Sequence, residues 1–389
     1  MKYVYVATAA SMFRGLAYAP VWIYSAIYIH SYLGISYFLD GFIFTIGGII
    51  SMALQFYSGF LADRIPAKRL ILVSYLSVSF LFGLSTAVPQ VRTSDTIYPG
   101  WIVTMMAVNG MQASPLNVLV SRISPVKLKG FSVLRIGNNI GWGLGPAFGG
   151  FLVGYSGFPS LFYYGFILSV VAIAILVLVK EENGAVQPTK LGKTGNKAVL
   201  VLSVTALLLF MVQSQETVTL SNYARSVADL SFGALGLVYF TNGIMVAATQ
   251  GLIYRVSRRM GNYLSYLSGS IIYSAGFLSY AFDQNLTEFV ASTMVLTVGE
   301  DLSFPTGSTM VTMVSKPENI GKNMGIFNAF MSFGRSVGPL VGGFVFTLAA
   351  SPIQLWALVT VYGFIGAAIF AIFFMHDRRI QEKIIPVQS

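Results

Sequence analysis

The chain has no cysteine, two histidines and, in 389 residues, only 24 basic and 14 acidic side chains. Each shortage excludes something. Without cysteine there is no disulfide framework, no thiol nucleophile and no thiolate-bound metal. His30 and His376 lie near opposite ends of the chain, so no histidine-based metal centre or nucleophile pair is expected, and no cofactor. No GxxxxGK[ST] loop is present, which removes nucleotide-driven chemistry. Charged residues make up 10% of the chain, against about 25% in a soluble domain. A chain of this size cannot clothe itself in water with so few. The net charge of +10 is spread too thinly for a nucleic-acid surface. What is abundant is apolar: 55% hydrophobic residues, with 30 Phe and 21 Tyr, a composition that also excludes disorder.

The apolar residues gather into runs long enough to span a bilayer, which takes about 20 residues at 1.5 Å each. Twelve such helices are expected, over 4–30, 36–61, 69–88, 100–121, 130–153, 160–179, 198–221, 232–254, 262–282, 288–313, 323–348 and 353–375. The longest link, 181–197, is too short for a soluble domain and reads as a solvated tether. The first run is long, contains Arg14 and has no cleavage pattern after it, so it is expected as a helix rather than a signal peptide. Counting from a cytoplasmic Met1, 19 of the 24 lysines and arginines fall on the inner side and only Arg92 and Arg225 on the outer. That asymmetry predicts a multi-pass protein of the cell membrane with both termini cytoplasmic. The partners expected are the lipid bilayer and a small-molecule solute, with the chain acting as a monomer.

An internal repeat organises the runs. The pattern GxxxGPxxGG occurs at Gly141, Gly145, Pro146, Gly149 and Gly150, and again at Gly334, Gly338, Pro339, Gly342 and Gly343, an offset of 193. The basic turns after the second and eighth helices, and Pro125 and Pro317, repeat at 192. The expected fold is therefore all-α, with twelve transmembrane helices in two pseudo-symmetric six-helix bundles, 1–180 and 198–389, joined by 181–197. Glycines at this spacing let backbones touch and the proline bends the helix, so both segments are expected to act as packing hinges.

The turn Gly59-Phe-Leu-Ala-Asp63-Arg64-Ile-Pro-Ala-Lys68-Arg69, together with the twelve runs and the 6+6 repeat, resembles the major facilitator superfamily over the whole chain. Gly59, Asp63, Arg64, Lys68 and Arg69 match that family's signature between helices 2 and 3. The resemblance implies a conformational latch, with the Asp63 carboxylate at the start of helix 11, where free N–H groups favour an anion. The helix 5 motif is similar to that of the family's proton-coupled drug and metabolite antiporters. Pro66 stands where glycine is usual, Met106 where the antiporters' helix 4 arginine would be, and Arg122 where many relatives have an acid.

Ionisable groups within apolar runs normally face a cavity or a partner. Arg14 lies about 15 Å into the first helix, with Tyr18, Ser25 and Tyr28 on its side. Glu300 and Asp301 sit at mid-depth in helix 10, pointing about 100° apart, so Glu300 is expected in a cavity and Asp301 against a neighbouring helix. Glu216 shares a face of helix 7 with Gln213. Asp40, near an outer helix end, is expected to be wet. Arg135, Asn138, Asn139 and Trp142 form one stripe on helix 5, mirrored by Asn328, Ser332 and Arg335 on helix 11. Symmetric stripes predict a central solute cavity. These features point to a non-enzymatic secondary transporter working by alternating access, with Glu300, Asp301 and Glu216 as proton carriers. Export by proton antiport is the first reading. Proton-coupled uptake of a polar or anionic metabolite, such as an organic acid, sugar or peptide, is the alternative.

Overall fold

A computed structural model gives the structure and describes residues 1–62, 64–181, 197–316 and 319–376, save the side chains of Lys127, Leu128 and His376. Among the described residues fourteen helices follow one another: α1 Lys2–Ser31, α2 Tyr37–Ala62, α3 Ala67–Ala87, α4 Gln90–Thr93, α5 Ile97–Gly110, α6 Ala113–Ile123, α7 Lys127–Ser156, α8 Pro159–Val177, α9 Lys197–Gln213, α10 Thr219–Ser226, α11 Phe232–Ser279, α12 Leu286–Val314, α13 Ile320–Leu348 and α14 Pro352–His376. No strand occurs among the described residues. In lipid a helix satisfies its own backbone hydrogen bonds, which is why apolar runs of this length take this form.

The twelve expected runs account for all of these helices but the four-residue α4, which lies in the link between the third and fourth runs, once local breaks are read. The fourth run is α5 and α6, parted at Met111–Gln112. Pro115 causes this break, because its ring crowds the carbonyl four residues earlier and it has no N–H to give. The seventh run is α9 and α10 with a 3₁₀ turn at Ser214–Glu216 between them. There Ser214 Oγ and Gln215 Nε2 both donate to the Met211 carbonyl, at 2.8 Å each, and so compete with the helix's own bonding. The eighth and ninth runs are fused in α11 and separated by Gly261, whose φ of 79° and ψ of 161° only glycine adopts without strain. Asn285 starts α12 as a reciprocal cap. Its side chain accepts from the Glu288 N–H at 3.2 Å, while the Glu288 carboxylate accepts from the Gln284 N–H at 2.6 Å.

Seven stretches among the described residues are long and apolar enough on their own to cross a membrane. The helices α1, α7 and α12 are long but not among them, and they are the ones that carry Arg14, Arg135 and the Glu300–Asp301 pair.

The chain forms two compact units. One comprises the described residues of Met1–Thr189 with Leu220–Ile244, the other those of Lys190–Thr219 with Met245–Ser389. The first has a core of Ala7, Leu70, Ile71, Tyr75, Leu116, Leu119 and Leu176. The second is built on Leu202, Tyr266, Met310, Val311, Phe327 and Phe370.

The repeated glycine motif packs the same way in each unit. In the first, α7 lies along α1. A Cβ on Gly141 would come 2.6 Å from the Met12 carbonyl oxygen and 3.2 Å from the Gly15 Cα, and Gly145 and Gly149 both face Pro20. In the second, α13 lies along α9, where Gly334 faces the Leu207 backbone and a Cβ on Gly338 would come 2.7 Å from the Met211 carbonyl. Gly342 faces Gln215 and Thr219. With no hydrophobic force between helices in lipid, this backbone contact is what holds them.

Candidate functional site

In the first unit the polar residues of α1 and α7 meet side by side. Arg14 is 5% exposed and its guanidinium donates to Asn109 Oδ1 of α5. Its Nε has no hydrogen-bond partner. No carboxylate among the described residues stands within ion-pair distance of it. Tyr75 of α3 and Tyr18 lie beside the guanidinium. Asn138 accepts from Ser11 at 2.6 Å. Trp142 meets Tyr18 and Trp22 edge-on, with ring centroids 6.0 and 5.4 Å away. Asn139 is half-buried on the same side of α7 and Arg135 is exposed one turn earlier. Tyr28 is not brought to this group. It lies about 21 Å along α1 from Arg14, packed with Tyr32, Tyr98 and Phe158, and its hydroxyl donates to the Arg92 carbonyl at 2.8 Å.

The second unit holds the acidic group. The 3₁₀ turn after α9 turns Gln213 and Glu216 toward α13 and α12. Gln213 Oε1 accepts from Arg335 Nε at 3.0 Å, and the guanidinium lies 4.9 Å over the Phe210 ring. Glu216, Glu300, Arg335 and Tyr273 are within electrostatic reach of one another. Asp301, 6% exposed, turns away and accepts from Thr249 Oγ1 of α11 at 2.9 Å. Asn328 is exposed on α13, two turns before Arg335.

Gln215 escaped the sequence reading. It is fully buried, donates to the Gly338 carbonyl at 3.0 Å, and accepts from Thr219 at 2.6 Å. It thereby ties the turn to the second glycine motif. Only the polar interruption of an apolar run could have signalled it.

The α2–α3 turn carries the signature residues. Asp63 lies outside the described residues. Gly59 packs on Ser114, and Arg64 lies 4.4 Å over the Phe60 ring. Arg69 is exposed. Lys68 Nζ donates to the Val177 and Val179 carbonyls at 2.7 and 2.6 Å. Glu181, expected as the first residue of a solvated tether, instead has its side chain buried, 3% exposed. Its carboxylate accepts from the Ala67 and Lys68 N–H groups at 3.0 and 2.8 Å and from Arg122 Nη1 at 2.8 Å. It therefore fills the N-terminal anion site of α3, and the basic Arg122 supplies its counter-charge. Asp40 also departs from expectation. It is fully buried rather than wet, because Asn222 of α10 covers it and donates to Oδ2 at 2.9 Å.

The family model for the Major Facilitator Superfamily matches residues 7–282 and 206–389. The chain belongs to the Major Facilitator Superfamily. It is a multi-pass membrane transporter that works by alternating access, and it is not an enzyme. Curated relatives agree. An MFS-type transporter of Bacillus subtilis, YttB, is 25% identical over 343 residues, 83% of either chain. Multidrug resistance protein 1 of the same organism is 26% identical over 337 residues, 82% of this chain and 84% of that one. Quinolone resistance protein NorA of Staphylococcus aureus is 23% identical over 346 residues, 85% and 86% of the two chains. Among solved structures, the nucleoside transporter NupG superposes with a TM-score of 0.78 at 16% identity, over 97% of this chain and all of the other. A peptide transporter, POT, superposes with a TM-score of 0.80 at 14% identity, over 98% and 96%. At these identities the superpositions speak for the fold alone.

Proposed function

We propose that this facilitator is a proton-coupled antiporter of the cell membrane, with both termini in the cytoplasm. In this reading it exports a hydrophobic or amphipathic, cationic small molecule as protons enter. The observation that carries the reading is the grouping of Glu216, Glu300 and Arg335 in one neighbourhood. One guanidinium balances one carboxylate. A proton on the second carboxylate, or a cationic solute beside it, lowers the cost of burying its charge, and those two alternatives compete. Glu300 is the first proton carrier, with Glu216 and Asp301 behind it, and Arg335, held by Gln213, is the counter-ion. Arg14, Tyr18, Arg135, Asn138, Asn139, Trp142 and Asn328 offer the polar and aromatic groups along the solute's path. The Gly59–Arg69 turn acts as the latch, and the two glycine stripes as hinges. The names of the relatives, a multidrug resistance protein and a quinolone resistance protein, favour export.

Glu300→Gln tests this in reconstituted vesicles. It should abolish transport of a lipophilic cationic dye driven by a proton gradient while leaving dye-for-dye exchange intact. Undiminished driven transport would remove Glu300 from the coupling.

Arg14 favours a second reading. A buried guanidinium with no carboxylate within ion-pair distance among the described residues suits a solute that brings its own anion, as in proton-coupled uptake of an anionic metabolite. Competition of small carboxylates against dye binding, lost in Arg14→Gln, separates that reading from the first.

A further inference from the structure

Asp40 sits at the end of α2 remote from the signature turn, and the proton carriers proposed above do not include it. Its carboxyl is fully buried. Asn222 Nδ2 donates to Oδ2 at 2.9 Å, yet Asp40 Oδ1 and Asn222 Oδ1 are both buried and have no hydrogen-bond partner. Two buried acceptors in one acid–amide pair lack a donor, and an unsatisfied buried oxygen is costly, the more so if it is charged. A single proton supplies the donor for both. With Oδ1 protonated, the O–H donates to Asn222 Oδ1 while the amide donates to Oδ2, and the two groups close a ring of two hydrogen bonds.

We propose that Asp40 is a proton-binding site, the proton being held between Asp40 and Asn222 in that closed pair. The groups facing it support a neutral acid. On its own helix Tyr37 bonds to Ser226 of α10 and stacks on the His30 ring of α1, with centroids 3.6 Å apart. From α5 comes Tyr98, whose hydroxyl pairs with Ser25 of α1 at 2.7 Å. Arg225 of α10 donates to the Leu230 carbonyl and to Asp229, the latter at 3.4 Å. No described lysine or arginine forms an ion pair with Asp40. Tyr37–Ser226 and Asp40–Asn222 are thus successive rungs of one polar seam between the start of α2 and α10. The proton belongs to the joined state of the seam. Parting α10 from α2 hydrates the acid, which ionises and releases the proton. This site is independent of the antiport reading, whose carboxylates all lie in the other unit.

The test is infrared spectroscopy of the full-length protein in lipid at neutral pH, following the C=O stretch of protonated carboxyl groups and its shift in heavy water. Asp40→Asn should lose one component of that band. Asn222→Ala, which keeps the acid but removes its amide partner, should shift the same component. Glu300→Gln should keep it, which separates this site from the proposed coupling site. A band unchanged by Asp40→Asn overturns the proposal, and a loss in Asp40→Asn without a shift in Asn222→Ala overturns the paired proton. If Asp40→Asn does not fold, Asn222→Ala decides: an unmoved component overturns the site.

Discussion

Adjacent carboxylates on one helix meet different neighbours. Glu300 stands with Glu216 and Arg335, while Asp301 is tied to Thr249. Their divergence was legible in the sequence, because neighbours on a helix point about 100° apart. The partners were not legible. Asn222 lies 182 positions from Asp40 and Gly338 lies 123 from Gln215, so only packing could reveal that both polar side chains are buried. Outside the membrane-spanning runs, Asp283 offers a pH test. Burial is the main cause that pushes its carboxyl up from 3.8 to about 6, Glu288 adds to the rise, and the bond from Ser292 Oγ at 3.0 Å opposes it. An acid raised on folding favours the protonated folded state. Its contribution is complete below about pH 4 and is lost as pH rises through about 6. Thermal unfolding of the purified protein should therefore show this loss in the wild type, and Asp283→Asn should flatten it. An identical pH dependence in the two would refute the burial argument.

At the scale of elements, the glycine motif is a steric statement about helix pairs. Gly141→Val places a side chain against the Met12 carbonyl and the Gly15 backbone, neither of which can rotate away. The expected loss is about 1–3 kcal/mol, read as a lowered unfolding temperature in lipid. Gly338→Val should do the same to α13 against α9. Gly154→Ala on α7 meets open space and should leave stability unchanged. Equal effects at positions 141 and 154 would contradict the contact. The α3 terminus gives a second test. Glu181→Ala removes the anion that caps α3 and leaves Arg122 without its counter-charge. Hydrogen bonds to a charged group are worth about 1.5–3 kcal/mol, so a destabilisation of that order is expected. The repeat announced the glycine contacts. Nothing in the sequence announced the clasp, because Glu181 follows Lys180 at the end of an apolar run and reads as part of the solvated link.

At the scale of the whole molecule, sparse charge was the most informative feature. Lysines and arginines too few for a soluble surface were enough to mark one side of every predicted helix pair, and the twelve-run reading survives as thirteen of the fourteen described helices once Pro115, the Ser214–Glu216 turn and Gly261 are taken into account, the short α4 lying in the link between the third and fourth runs. The breaks at Met111–Gln112 and Ser214–Glu216 escaped the reading because each is local chemistry inside a run that hydropathy sees as continuous, whereas Gly261 falls between two runs already read as separate. The central claim is that solute and protons move in opposite directions through this fold. It is tested most directly by imposing proton gradients of each sign on inside-out vesicles containing the purified protein and following a lipophilic cationic dye. The account predicts that an acid lumen drives dye accumulation, that an alkaline lumen does not, and that dissipating the gradient releases the dye. Flux that is indifferent to the sign of the gradient, or driven by the opposite one, would contradict it.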